Sequence, residues 1–598
     1  MNLHDLVSQL IIDTTGSPGG GIWHATWDSS LGVFRPELVL CGTILLVLLC
    51  RLFRATRWVD AAWIACAGAV LALWWAAPWR LLTDPAPFAR MEIFTGMLVY
   101  DGFTALMRGV LLTFFVLFVI LTKLSGVPAR EDGPDVYVLA LGATLGFCLM
   151  VAANHLMMVF LAVEMASVPS YALAGLLRRD RRSSEASLKY AVYGAGAAGI
   201  MLYGISLIAG LVNAVHLPTV ALRLSQALPA MNIDELTVLG LACLLITVGL
   251  AFKLSAVPFH FWCPDVFEGA TAEIGAFLSV ASKAAALALL VRVVVGLGWL
   301  SPTGFMPGER TLAAGAAANQ VSLAGGFLSV ADAVPGSPAG GGQAGLPPDA
   351  DRLDRAACNS NLAPLRSVVS RLVALLAIVT CTFGNLAAYG QTNMKRLLAY
   401  STIAHAGYMM MAAPPILALL GSDAHGAQGG VAALVLYITV YLFMNLGAFA
   451  VVALLREAMH SEEIADYAGL LRRCPGVAIC FALILLSLIG LPPLSGFLGK
   501  LAVFAALTDA FRTTGSAYLM VVLFVGGLNT VLSLFYYLRI VRLMTMVPEP
   551  ESRVPFALPL ASLPGAYLLV ITLPTVLLIL GWEYVSALAL AAARSLFV

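Results

Sequence analysis

Apolar residues gather in fourteen long runs separated by short polar gaps, at roughly 36–50, 58–78, 102–122, 136–153, 155–177, 188–213, 236–257, 272–297, 366–388, 397–420, 430–455, 476–508, 516–538 and 562–587. The 136–177 block is divided in two by its length and by the Asn154-His155 pair. Such runs match the length a helix needs to cross about 30 Å of hydrocarbon. In lipid each backbone polar group must find its partner within the segment. The pattern therefore predicts an all-α polytopic membrane protein of about fourteen spans.

One stretch breaks the pattern. Residues 301–365 are rich in Gly, Ala, Pro and Asp, too polar and broken to span, and predict a flexible loop with one short surface helix around 318–333. Prolines interrupt two other runs. Segment seven runs into Pro258, and segment twelve carries Pro492-Pro493. Proline removes a backbone donor and breaks or kinks a helix. The two broken helices stand five places apart in helix order, which predicts two inverted five-helix repeats, helices 4–8 and 9–13. The expected organisation is an N-terminal region with helices 1–3 (1–135), a first repeat (136–300), the insert (301–365), a second repeat (366–545), and helix 14 with the C-terminal residues (546–598).

Charge sets the orientation. The odd-numbered gaps hold seventeen Lys and Arg residues, whereas the even-numbered gaps and both tails, the insert aside, hold six. By the positive-inside rule both termini face away from the cytoplasm. Residues 1–30 lack a charged start followed by an apolar run, so no cleavable signal peptide is expected. Composition agrees with a membrane protein: 60% hydrophobic and 11% charged residues, against about 25% charged in soluble domains. A net charge of +1 offers no basis for nucleic-acid binding. Ten cysteines are scattered without iron–sulfur or zinc spacing and read as small apolar packing residues.

The lysines change the picture most. Only six occur, and Lys189, Lys253, Lys283 and Lys500 fall among Ala, Leu, Val, Gly and Phe. Lysine can shed its proton when buried; arginine effectively cannot. Lys253 and Lys500 are the only charges of segments seven and twelve, each near a proline break. Non-helical backbone at membrane depth survives only inside protein or beside a water-filled cavity, so freed carbonyls and water can solvate each amine there. Glu164 is the only acid of segment five. A lone charge at the bilayer centre costs about 2.5–3.5 kcal/mol or more, which makes a Glu164–Lys253 pair the natural candidate. The competing reading is an ion pair that only fixes helix packing. Lys283 lies among small residues that leave room for water or close packing. Lys189 follows the Arg178–Arg182 cluster and serves either proton uptake or anchoring. His260 and His405 are the histidines nearest this path and titrate near neutral pH, or are simply hydrogen-bonded. Lys395, beside Arg396 at a helix start, reads as an interface anchor and a secondary relay candidate.

Six stretches in order carry a resemblance: LVYDGFTALMRG (98–109), FLAVEMASVPSYALAGLLR (160–178), SSEASLKYAVYGAGAAGIMLYG (183–204), GLAFKLSAVPFHFWCPDVFEGA (249–270), NMKRLLAYSTIAHAGYM (393–409) and LLSLIGLPPLSGFLGKLAVF (485–504). Together they resemble the antiporter-like proton-channel subunits of respiratory NADH–quinone oxidoreductase (complex I), on the subunit N branch. The wording around Glu164 and Lys189 favours that branch. Lysine at 500 departs from the subunit M branch, which has a glutamate there, and the long lateral helix of the subunit L branch is not expected. The resemblance implies a non-redox, proton-translocating subunit of the bacterial plasma membrane. It assigns Glu164 to the helix-five glutamate, Lys253 and Lys500 to the broken-helix amines, and Lys283 to the central helix-eight lysine. It implies no cofactor in this chain, with FMN, iron–sulfur clusters and quinone in partner subunits. Expected partners are the other membrane-arm subunits and the lipid bilayer, not nucleic acid. The 301–365 insert departs from the family, which joins helices eight and nine briefly. Two readings compete: a subunit of a multi-subunit cation/proton antiporter or a proton-pumping membrane hydrogenase, and a scaffold without transport.

Overall fold

The computed structural model describes residues 29–53, 59–83, 88–129, 132–177, 180–300, 356–549 and 558–597. The helix expected around 318–333 lies outside the described residues. The described chain is a bundle of long helices: α1 (Arg35–Leu52), α2 (Ala61–Ala76), α3 (Gly102–Leu124), α4 (Gly133–Ala152), α5 (Leu156–Ala174), α6 (Arg181–Val212), α7 (Ile233–Leu254), α8 (Ala272–Gly298), α9 (Ala363–Ala388), α10 (Met394–Met410), α11 (Ala424–Met459), α12 (Pro475–Ile489, resuming as Ser495–Thr514), α13 (Ala517–Met546) and α14 (Leu563–Leu577). Short polar residues start them by accepting from the first free amides. Asp101 accepts from Thr104 N ahead of α3, Thr271 from Ile274 N ahead of α8, and Asn232 forms a reciprocal capping box with Glu235 ahead of α7.

Among the described residues, eleven helices are long and apolar enough to span a membrane, or twelve if α14 and the helix Trp582–Leu596, bent 82° from it, form one span. The two further spans of the sequence reading are α1, which carries Arg35, Glu37 and Arg51, and α12, whose two parts each fall short of an unbroken apolar crossing. The sequence pattern did not foresee a small antiparallel hairpin, β1 (Met91–Ile93) with β2 (Leu98–Tyr100), ahead of α3.

Burial orders the bundle in depth. The spanning window of α8 is wholly buried and those of α10 and α11 nearly so, whereas less than a third of that of α13 is. A helix apolar all round belongs at the centre of such a bundle. Close approach holds neighbours together: Gly146 of α4 faces the Ala166 backbone of α5, where an added Cβ would stand 2.5 Å from the Ala166 nitrogen. Gly407 of α10 faces Cys381 of α9 in the same way, again at 2.5 Å. Small residues at such crossings are what lets membrane helices pack without a hydrophobic driving force.

Both predicted breaks are present. α7 stops at Leu254, with Ser255 in the left-handed region (φ 55°), and the chain re-enters a helix at Trp262–Gly269. α12 stops at Ile489, with Gly490 at φ 87°, and resumes at Ser495. At Gly490 the conformation requires a residue without a Cβ.

Candidate functional site

The buried amines lie at these breaks. A helix end leaves its last carbonyls without intrahelical partners and carries partial negative charge, so it can solvate a cation that the bilayer cannot. Lys500, in the second part of α12, donates to the carbonyls of Leu488 (3.2 Å) and Ile489 (2.8 Å), the last residues of the first part. Its ammonium also lies 4.3 Å from the centre of the Tyr408 ring. Lys253 lies in the last turn of α7 with the rings of Tyr171, Tyr190 and Phe252 each 5.9 Å away. Lys283, fully buried on α8, donates 2.6 Å to Ser255 Oγ, the residue at the α7 break, and lies 5.0 Å from the Trp262 ring. Trp262 Nε1 in turn donates to the Phe252 carbonyl at 3.1 Å. The break in α7 thus brings Lys283 of α8 against Ser255, two residues beyond Lys253.

Glu164 and Lys253 line one cleft, with about 180 Å³ of open space between α5, α6 and α7. Gly194 and Gly249 form part of its wall. The two groups share the cleft but do not close into an ion pair within 4 Å, unlike the direct pairing expected from the sequence.

Between the first break and the second runs a set of hydroxyl, amide and imidazole groups on α8, α10, α11 and α13. Asn445 Nδ2 donates to Ser279 Oγ at 2.7 Å and to Thr402 Oγ1 at 3.5 Å. Ser279 sits one helical turn before Lys283 on α8. On α10, Ser401 bonds the Tyr537 hydroxyl, which lies 3.4 Å from His405 Nε2; His405 Nδ1 is 2.9 Å from the Tyr437 hydroxyl. The Tyr437 ring packs against Gly499, the neighbour of Lys500. His405 therefore has a hydroxyl at each ring nitrogen.

The other sequence candidates fall elsewhere. Lys189 lies at one end of the bundle, about one third exposed, paired with Glu185 (2.9 Å) and Asp265 (2.7 Å) in a cluster that continues through Arg396 to Glu268. Lys395 is no interface anchor. It is buried, pairs with Glu462 at 2.8 Å and donates to the Ala270 carbonyl at 2.7 Å, fastening α10 to the loop before α8. His260 lies in the α7 break between the rings of Phe261 and Phe383, both 4.4 Å away, and away from the lysines' hydrogen bonds.

Two buried ion pairs and one half-buried pair escaped the sequence reading. Arg292 of α8 grips Asp101 with two 2.6 Å bonds and also donates to the Val151 carbonyl at 2.9 Å. Arg108 of α3 meets Glu37 of α1 at 2.6 Å, and Arg456 of α11 meets Glu273 of α8 at 3.4 Å. Burial alone would raise the Asp101 carboxyl, but the Arg292 guanidinium, the Thr104 amide and Arg90 together hold it below its ordinary value. Part of the signal was present: Arg292 is a charge set among Leu and Val near the end of an apolar run, as Lys283 is among Ala, Ser and Leu. We expect Asp101→Asn to cost about 3–5 kcal/mol, the scale for breaking a buried pair from one side. The loss would show as lower yield of assembled complex on native gels. The double variant Asp101→Asn with Arg292→Met should recover part of it.

Comparison with known proteins gives a consistent result. Residues 153–303 and 357–531 match the family described as NADH:quinone oxidoreductase/Mrp antiporter, TM. A relative from Anaeromyxobacter sp. (strain Fw109-5), NADH-quinone oxidoreductase subunit N, is 37% identical over 86% of this chain and 86% of its own length. NADH-quinone oxidoreductase subunit N 2 of Sorangium cellulosum (strain So ce56) is also 37% identical, over 93% and 95%. Among solved structures, a chain of respiratory complex I from Thermus thermophilus with bound aureothin has a TM-score of 0.63 at 26% identity, covering 92% of this chain and 98% of that one. A chain of the Mrp complex from Dietzia sp. DQ12-45-1b reaches 0.66 at 18% identity, covering 95% and 97%, and shares the fold.

Proposed function

The chain belongs to the NADH:quinone oxidoreductase/Mrp antiporter family, and from that membership we propose how its buried groups move protons. It is a multi-pass, proton-translocating membrane subunit of an NADH–quinone oxidoreductase, working among the other membrane-arm subunits. In this reading the redox chemistry, with FMN, iron–sulfur clusters and quinone, resides in partner subunits, and this chain supplies the proton path. The membrane is the bacterial plasma membrane, with both termini on the non-cytoplasmic side. Helices α4–α8 and α9–α13 are two related halves, each contributing one broken helix.

The observation that carries the mechanism is the placement of Lys253, Lys283 and Lys500 at the two breaks. A proton reaches Lys253 from the cleft it shares with Glu164. With Glu164 charged, the ammonium form of Lys253 is favoured; when the carboxylate is neutralised or drawn away, burial favours the neutral amine. The released proton passes to Lys283 by way of Ser255, then along the Ser279–Asn445–Thr402 and Ser401–Tyr537–His405–Tyr437 groups toward Lys500. The carbonyls of Leu488 and Ile489 hold it there until exit. Lys189, with Glu185 and Asp265, gathers protons at the end of the bundle ahead of the cleft, and Lys395 and His260 hold the scaffold around the path.

The native assembly tests the reading. Purified through a tag on this chain and inserted into liposomes, it is expected to bring NADH-oxidising and quinone-reducing subunits with it and to acidify the lumen when NADH is supplied. Co-purification with cation/proton antiporter subunits, and no NADH-driven acidification, would overturn it.

A further inference from the structure

We propose that the groove between α7, α8 and α9 holds one acyl chain of an anionic phospholipid, whose phosphate is bound by Arg366. The groove has about 790 Å³ of open space, and its walls are almost wholly apolar, with Ile246, Leu250, Val294, Val373 and Leu376 among them and Arg366 as the one charge. Most of its lining comes from α7, α8 and α9.

Two independent features identify the occupant. The first is charge. Among the described residues three arginines are buried; Arg108 and Arg292 each lie against a carboxylate, whereas Arg366 has no acid within 4 Å. It donates from Nη1 to the Gly298 carbonyl at 3.1 Å. A guanidinium has five N–H donors in a fork that suits a phosphate, more than that carbonyl can take up. The second is length. From Arg366 to Leu376 the α9 wall is about 15 Å long at 1.5 Å per residue, half of the about 30 Å hydrocarbon thickness. The cation lies in the first turn of α9, at one end of the α9 wall, and Leu254, where α7 breaks, also lines the groove. A cation at one end of an apolar slot one leaflet deep matches a phospholipid. A neutral quinone tail would leave the guanidinium unmatched.

Such a chain would form the outer wall of the α7 break. Ala251 and Leu254, on either side of Lys253 in sequence, line the groove, so an acyl chain there keeps bulk water from reaching the relay sideways.

Electron cryo-microscopy of the whole complex in nanodiscs of brominated phosphatidylglycerol tests this. The expected result is bromine signal along α9 with a phosphate at Arg366. Occupancy should fall about ten-fold or more in Arg366→Gln, on the scale of a charge-assisted hydrogen bond, and persist in Arg366→Lys. Val373→Trp, which plugs the slot but keeps the cation, should also empty it. The proposal is overturned if Arg366→Gln leaves the signal unchanged or if brominated phosphatidylcholine fills the groove equally. It is equally overturned if the groove is vacant, or holds a quinone tail, a neighbouring subunit, or residues of the 301–355 segment.

Discussion

Replacing Lys253 with methionine is expected to cut proton translocation about 100-fold while the complex still assembles. Methionine keeps the length and apolar stem of the side chain but carries no proton. A proton crossing the dry stretch between the Glu164 cleft and Lys283 would then be unsupported. A lone charge at that depth costs about 2.5–3.5 kcal/mol or more, and each 1.36 kcal/mol in a barrier is ten-fold in rate. Because translocation and quinone reduction are coupled across the assembly, NADH-driven quinone reduction should fall in parallel in tightly sealed proteoliposomes. Acidification measured with a pH-sensitive dye, with complex content matched by native gel, decides the matter. Wild-type acidification by an assembled Lys253→Met complex would reduce the site to a packing contact, the scaffold reading.

At Lys500 the expected result separates charge from titration. Lys500→Met should lose translocation on the same scale, since it removes the amine and leaves the carbonyls of Leu488 and Ile489 without their donor. Lys500→Arg keeps the cation and can still donate to those carbonyls, yet arginine stays charged at any working pH. A relay predicts that Lys500→Arg fails as badly as Lys500→Met. An electrostatic anchor at the α12 break predicts that Lys500→Arg works. Proton-to-electron ratios of the two assembled variants, measured side by side, distinguish these outcomes.

The four proposed relay positions could be picked out of the chain because a charge in an apolar run is expensive. Glu164, Lys253, Lys283 and Lys500 all stand out on that ground, and Pro258 and Pro492-Pro493 told where the helices would break. The groups between the lysines did not stand out. Tyr437, Tyr537, Asn445, Ser279 and Thr402 look like ordinary span residues one by one; only the packing of α8, α10, α11 and α13 brings their polar atoms together. Lys395 shows the reverse error. Its place beside Arg396 at a helix start resembles an interface anchor, and its burial depends on Glu462, which lies in the loop beyond α11 and which no local pattern could bring near. Arg292 and Asp101 were overlooked for a different reason: the acid caps a helix that starts almost two hundred residues before its partner, and pairing at that range is a property of the fold. The hairpin at 91–100 was missed because three-residue strands leave too short an alternation to detect.

The most direct test of the relay is infrared difference spectroscopy of the assembled complex during NADH-driven turnover, with lysines labelled with ¹⁵N. The account predicts ammonium bands that change with turnover, shift with the label, and disappear in Lys253→Met and Lys500→Met. Lysine bands unchanged throughout turnover, in a complex that still pumps, would contradict it.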